Sequence, residues 1–306
     1  MVFKFIKKLA LYVLICMSIV TGLLETQGRY IDSFYKKFTT PKVNSIIIGD
    51  SRGLQDLMPS VINKSMSSAN FSLPIYNYSF TIEQARVGPL YRKSALKKLT
   101  QKDTKGLFII SLTPMMLSSY VKNSNESGEF SEAGYPPHNM HFVDKRPNYE
   151  YFIKNINYFE FKAVFKRDYI LEDDGWLKIN HLSYDKHRLG EWKKIQMDRF
   201  KEMAHVSKPS EYRMKSLDTL VKTLKKYGDV YLLRSPIDED FLDLENTYFK
   251  DFNEKINQVA NANNIKYFNF GATTNSHYFA FDGHHLDVKS AELFSKHVCD
   301  SILKYK

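Results

Sequence analysis

Short runs of β-branched and aromatic residues alternate with stretches of helical periodicity through most of this chain. Ser45–Gly49 reads Ser-Ile-Ile-Ile-Gly, a continuous apolar run of the kind a strand buried on both faces shows. Ile75–Phe80, Leu107–Leu112, Val230–Arg234 and Ile265–Phe270 supply four more such runs. Helical patterns separate them over Gln84–Leu99, Ser216–Tyr227 and Asn253–Asn261, and a last one covers Val288–Leu303. Strand and helix in alternation predict an α/β domain: a parallel five-stranded sheet with helices on both faces.

Two segments break this rhythm. Residues 118–209 are polar and aromatic, with Tyr135-Pro136-Pro137, Asp174-Gly175-Trp176 and many lysines. That is too long for a loop. It reads as a large, partly helical insertion on the C-terminal side of the sheet, where open α/β sheets bind ligands. At the other extreme, Leu9–Leu24 is almost wholly apolar and follows Lys4, Lys7 and Lys8. A bilayer span needs roughly 20 residues, with about 17 as a lower limit. No small-x-small cleavage site follows, and Ile15 before Cys16 does not suit a lipoprotein site. The expected organisation is an anchor over 1–26, a polar connector over 27–42, and the α/β domain over 43–306. An uncleaved signal-anchor is favoured, with a cleaved signal peptide as its rival. Basic residues before the apolar run favour a cytoplasmic N-terminus, which leaves the domain extracytoplasmic, although Arg29, Lys36 and Lys37 on the far side weaken that bias.

Charge and composition narrow the picture only slightly. The 306 residues carry a formal net charge of +10. The excess is scattered along helical stretches such as Tyr91–Lys105 and Lys215–Lys226, with no basic run of the sort that makes a nucleic-acid module. Such a diffuse field suits an anionic membrane or acidic polysaccharide. Twenty Tyr and 22 Phe fit either a flat ligand such as a sugar or an aromatic core. The two cysteines, Cys16 and Cys299, fall on opposite sides of the expected membrane boundary, and no cysteine spacing points to a metal.

The chemistry concentrates in two short blocks. Gly49-Asp50-Ser51-Arg52 follows the first strand. A serine there stands at the carboxyl edge of the sheet, where the next helix begins and free backbone N–H groups can receive an oxyanion. Asp50 and Ser51 also suit a plain helix cap. Phe281-Asp282-Gly283-His284-His285-Leu286-Asp287 precedes the last helix. Asp282 and His285 are three apart, a spacing that lets a carboxylate hold one imidazole nitrogen while the other takes a proton from serine. Together the blocks make a nucleophile, a base and its orienter. This chemistry calls for no cofactor and no metal.

These blocks resemble the SGNH or GDSL-type hydrolases. The family's Gly-Asp-Ser after a strand is matched by Gly49, Asp50 and Ser51, and its Asp-x-x-His-Leu by Asp282, His285 and Leu286. The resemblance covers about residues 44–305, with the insertion excepted. It implies a three-layer flavodoxin-like fold and ester hydrolysis or acyl transfer through an acyl-serine. Ser51 would be nucleophile, His285 general base and acid, and Asp282 its orienter; the leucine at 286 selects His285 over His284, which then reads as a solvated loop residue. The chain departs from the family after the second strand, which lacks a glycine, and after the third, where Ser111-Leu112-Thr113-Pro114 replaces a Gly-x-Asn-Asp. The oxyanion site would then combine the Ser51 N–H with a backbone N–H in Ser79-Phe80-Thr81. A single N-terminal anchor, a Gly-Asp-Ser-Arg start and Pro114 are similar in layout to the membrane-anchored branch that includes alginate O-acetylation and teichoic-acid D-alanine transfer proteins. That likeness implies a bacterial cytoplasmic membrane, a periplasmic or cell-surface domain, a cell-surface polysaccharide or other acylated glycan as substrate, and a multi-span membrane acyl-donor protein as partner.

Several further residues are candidates. Arg52 could bind a carboxylate or phosphate, or simply start the helix. Arg234, after the fourth strand, is expected at the same edge as Ser51 and in reach of substrate. His138 and His141, three apart, lack an evident third metal ligand. Trp176 suits a sugar or a packed insertion core. Asp238 and Glu245 receive no role. Three functional readings follow: an esterase or O-acyltransferase of a surface glycan, an inactive SGNH scaffold that binds glycan or a partner, and a lipid esterase on the membrane face.

Overall fold

The structure, a computed structural model, describes all residues except 102–104, 124, 126–127, 158–161 and 273–276. Its strands are β1 (Ser45–Ile48), β2 (Ile75–Asn77), β3 (Gly106–Ser111), β4 (Ser118–Tyr120), β5 (Tyr169–Leu171), β6 (Leu177–Ile179), β7 (Ser207–Pro209), β8 (Gly228–Arg234) and β9 (Lys266–Asn269). Five of them form one parallel sheet in the order β2-β1-β3-β8-β9. The chain starts inside the sheet, steps to one edge, then crosses to the other. This is the flavodoxin-like order, and its switch point lies between β1 and β3. The predicted fold class is the observed one.

The helices are α1 (Val2–Ile31), α2 (Ser51–Asp56), α3 (Pro59–Ser65), α4 (Pro89–Lys98), α5 (Tyr149–Asn155), α6 (Ala163–Lys166), α7 (Lys186–Val206), α8 (Glu211–Leu224), α9 (Glu239–Tyr248), α10 (Phe252–Ala262) and α11 (Val288–Tyr305). The strand period of two assigns the layers. Ile46 and Ile48 of β1 join Phe108, Ile110, Val230 and Leu232 in a core shared with α4, α8 and α10. Ile47 joins Leu107, Ile109 and Leu233 in a second core against α3 and α11.

Local chemistry explains where the helices begin. The helix expected from Gln84 starts five residues later, because Gly88 takes the N-cap and Pro89 the first helical position, where its missing N–H costs nothing. The helix expected from Ser216 begins at Glu211, because the Ser210 side chain caps it by accepting the Arg213 N–H.

The insertion leaves and rejoins the core at one place, since β4 and β7 pair antiparallel with Ser118 opposite Pro209. Inside it, β5 and β6 form an antiparallel pair whose turn passes through Gly175 at φ +85°. A Cβ on Gly175 would lie 2.2 Å from the Asn77 carbonyl, so only glycine lets this turn sit on the end of β2. Two buried lysines fix the same region. Lys37 Nζ donates to the carbonyls of Asn77 and Gly175 at 2.5 Å each. Lys98 Nζ donates to the carbonyls of Lys37 and Thr40, both at 2.8 Å. Burial pushes both amines below the usual lysine range, Lys98 to about 7.

The N-terminal segment differs from the expected tether. α1 continues without a break to Ile31, and Leu24, Gly28 and Ile31 are buried. Tyr35, Lys37 and Phe38 follow them into the interior. The polar connector expected over 27–42 is thus largely packed, because every third or fourth residue from Leu24 to Ile31 is small or apolar and meets the domain.

Candidate active site

β1 ends at Ile48, and Gly49 and Asp50 turn the chain into α2, whose first residue is Ser51. The turn is tight against β3: a Cβ on Gly49 would sit 3.0 Å from Ser111 Cβ. Asp50 is the N-cap. One carboxylate oxygen accepts the Arg52 N–H at 3.1 Å and the other accepts the Thr113 hydroxyl at 2.5 Å. Burial raises the Asp50 carboxyl, against the pull of Arg52 and the Thr113 hydrogen bond.

The second block closes on the first across 234 residues of sequence. Ser51 Oγ lies 2.8 Å from His285 Nε2, and His285 Nδ1 lies 2.8 Å from Asp282 Oδ2. With Nδ1–H donating to the carboxylate, Nε2 is free to accept the serine proton. Asp282 Oδ1 also accepts the backbone N–H groups of His284 and His285 at 3.2 and 2.9 Å. Burial alone would raise the Asp282 carboxyl. The facing His285 and His284, with the hydrogen bonds from His285, outweigh that and hold it far below the usual carboxylate range. Burial likewise works to lower His285, but Asp282 and, behind it, Asp56 hold the imidazole above its ordinary value. The structure therefore brings Ser51, His285 and Asp282 into one relay.

The relay faces a cavity of about 600 Å³. Ile82, Met115, Phe200, Met203, Val206 and Phe241 make an apolar wall, and α7 of the insertion supplies three of these six side chains. Tyr120 and Tyr169 line it as well.

Other expected residues lie elsewhere. The amides expected to complete the oxyanion site are engaged: Ser79 N–H donates to Asn77 Oδ1 at 3.0 Å and Phe80 N–H to the Gly49 carbonyl at 3.1 Å. Both residues are fully buried. Of that stretch, Thr81 lines the cavity, together with Thr113 from the end of β3. Arg234 is fully buried and is not among the described residues that line the cavity. It pairs with Glu245 at 2.8 Å and donates to Asn253 Oδ1 at 3.1 Å, so a contact with substrate is replaced by a structural one. Arg52 does line the cavity, with its side chain only 4% exposed. It pairs with the same Glu245 at 2.6 Å, and its Nη1 has no hydrogen-bond partner among the described residues.

His284 is no solvated loop residue. Its ring stacks on Phe241 at 5.2 Å and lies 3.8 Å from the His285 ring, and burial followed by the His285 charge holds it well below its ordinary value. Asp282, His284 and His285 offer three ligand-type atoms within 4.8 Å of one another, but the two His285 nitrogens face Ser51 and Asp282. His138 turns inward to the Gln84 carbonyl at 2.7 Å, and His141 turns outward to Glu150 at 2.7 Å. Trp176 is buried where the insertion meets α2, its Nε1–H donating to the Gln55 carbonyl at 2.7 Å.

Asp56 escaped the reading of the sequence. It ends α2, is fully buried, and accepts the Leu286 N–H at 3.0 Å. Burial raises it to about 7, against the lowering effects of His285 and the Leu286 hydrogen bond. A carboxylate five residues after Ser51 was the available signal.

No known family's sequence profile matches the chain, and no curated protein matches it. Among solved structures, it is similar to a psychrotrophic esterase, EstA, from Pseudoalteromonas sp., at 14% identity and TM-score 0.40, over 86% of this chain and 98% of that one. A lipase/acylhydrolase from Enterococcus faecalis aligns at 10% identity and TM-score 0.38, over 85% and 95%. An acetyl xylan esterase, Est2A, from Butyrivibrio proteoclasticus aligns at 12% and 0.31, over 87% and 64%.

Proposed function

We propose that the chain is an SGNH-type serine esterase or O-acyltransferase that removes or transfers acyl groups, acetyl foremost, on an extracytoplasmic cell-surface polysaccharide. The observation that carries this reading is the Ser51–His285–Asp282 relay, with both contacts at 2.8 Å, opening on a cavity. Ser51 Oγ attacks the ester carbonyl while its proton passes to His285 Nε2, and Asp282 steadies the imidazolium. The tetrahedral oxygen carries the new charge toward Ser51 N–H, which stands in the first turn of α2 with no preceding carbonyl to bond. Collapse expels the alcohol, which takes the proton from His285, and leaves acyl-Ser51. Water or a sugar hydroxyl, deprotonated by His285, then attacks the acyl carbon and regenerates Ser51. In the transferase reading, a multi-span membrane protein supplies the acyl group and α1 holds the domain beside it. The net charge of +10 supports an anionic polymer or membrane as the setting.

The apolar wall favours a second reading, in which the acyl group is longer than acetyl and the substrate is a lipid ester. Full-length protein in detergent, treated with a fluorophosphonate, tests both. Labelling that disappears in Ser51→Ala and is lost in His285→Ala establishes an activated serine. Turnover of acetyl against octanoyl esters then separates the readings. A folded protein that neither labels nor turns over any ester would instead be a binding scaffold.

A further inference from the structure

Residues Met1–Ile19, at the start of α1, are all exposed, and partial burial begins with Val20 and Thr21. Val2–Ile19 is 18 residues, about 27 Å of helix, against a hydrocarbon thickness of about 30 Å. The same helix is then seized by the domain without an intervening loop. Thr21 Oγ1 and Tyr149 Oη share a hydrogen bond at 2.5 Å. Glu25 pairs with Arg146 at 2.5 Å, and Arg29 with Asp173 at 3.0 Å. Leu24 and Ile31 are each 1% exposed, within the same core cluster as the sheet residues Ile46 and Phe108. The ring of ion pairs begins directly after the exposed apolar run, where a helix leaving hydrocarbon meets water. Two residues beyond the end of α1, Ser33 lines the cavity that holds Ser51.

We propose that α1 is a rigid strut that holds the Ser51 cavity at a fixed height above the bilayer, so that its substrates are acyl esters on molecules anchored in the same membrane that present the ester at that height. This rests on the esterase reading above and on α1 crossing a membrane. Leu24–Ile31 and Val20–Ile31 advance seven and eleven residues along one unbroken helix, which sets the cavity rim roughly 10–17 Å beyond the hydrocarbon edge. An acyl chain still buried in the bilayer is out of reach of the serine. An ester on the glycan or spacer of a membrane-linked carrier is within reach. A flexible connector would impose no such height and would let the domain sample the polymer at any distance.

The test uses the full chain in phosphatidylcholine vesicles, with a lipid whose headgroup carries an umbelliferyl acetate on ethylene-glycol spacers of graded length. Turnover is expected to be lowest with the ester at the headgroup and to rise at least tenfold as the spacer reaches the rim height. A seven-residue polar helical insertion after Ile19 adds two turns, about 10 Å, and is expected to move the optimum to spacers longer by that amount. Soluble umbelliferyl acetate should be cut at the same rate by both proteins. Equal turnover at all spacer lengths, unchanged by the insertion, would overturn the strut. Failure to cut even the soluble ester would overturn the esterase reading instead. The strut is then read by energy transfer from a fluorophore on Arg188→Cys, in a Cys16→Ser background, to acceptor lipids. A height that increases by about 10 Å with the insertion supports the strut, and one that ignores it refutes the proposal.

Discussion

The Asp56 carboxylate accepts the backbone N–H of Leu286 at 3.0 Å, binding the end of the Ser51 helix to the turn that carries His285. Its other oxygen is buried without a hydrogen-bond partner among the described residues. Asp56 titrates near 7 in the folded protein, against about 3.9 for a free aspartate. A raised acid contributes stability below the unfolded value that is lost as pH rises through the folded one. Asp56→Asn keeps the acceptor for Leu286 and removes the charge. It should therefore be more stable than the parent above pH 7, with the advantage shrinking toward pH 4 in denaturant melts.

The same substitution should move catalysis. Asp56 is one of the groups holding the His285 imidazole above its ordinary value, and His285 acts as base only when neutral. For the parent, kcat/KM should rise with pH through a midpoint above about 6.5. In Asp56→Asn that midpoint should fall. A profile unaffected by the substitution would show that Asp56 is purely structural. His285 itself contributes stability that is complete below about 6.5 and lost as pH rises through its folded value.

Asp282→Asn should leave the fold intact and lower kcat roughly 10³–10⁴-fold, because the imidazole loses the carboxylate that selects its tautomer. The loss should appear in kcat more than in KM, as single-turnover kinetics with a chromogenic ester would show.

Glu245 stands between two buried guanidiniums, 2.6 Å from Arg52 and 2.8 Å from Arg234. Burial works to raise its carboxyl, yet the two arginines hold it below the ordinary value. Glu245→Gln strands both cations, and about 3–5 kcal/mol of stability should be lost in urea titration. Since Arg52 follows Ser51 directly, fluorophosphonate labelling of the folded fraction should slow as well.

Gly283 takes φ +94° in the turn between Asp282 and His285, and a Cβ there would meet the Phe241 ring at 2.4 Å. Gly283→Ala should cost at least about 1–2 kcal/mol from backbone conformation alone and displace the histidine turn, with activity falling more steeply than the melting temperature.

The parts legible in the sequence are those with a strong local signal. The isoleucine run at 46–48 announces a central strand, and the Gly49–Arg52 and Phe281–Asp287 blocks each have a compact spacing. α7 was hard to read as an element because, of its 21 residues, only Phe200 is buried. Arg234 shows the limit of placing a residue by topology: the strand end does reach the right edge, but a glutamate in α9 takes the side chain. The amides of Ser79 and Phe80 were also out of reach, since only the folded backbone reveals that Asn77 and Gly49 consume them. His284 reads as exposed because nothing local announces the Phe241 ring it stacks on.

The β4–β7 pairing makes the insertion an exchangeable cassette. Its two ends sit side by side, so related chains can lengthen, shorten or replace everything between Ser118 and Pro209 while the relay on the sheet stays put. Because α7 furnishes much of the cavity's apolar wall, such swaps would reshape the cavity without touching Ser51. The wall of the cavity and the relay beside it are thereby carried by separate parts of the chain.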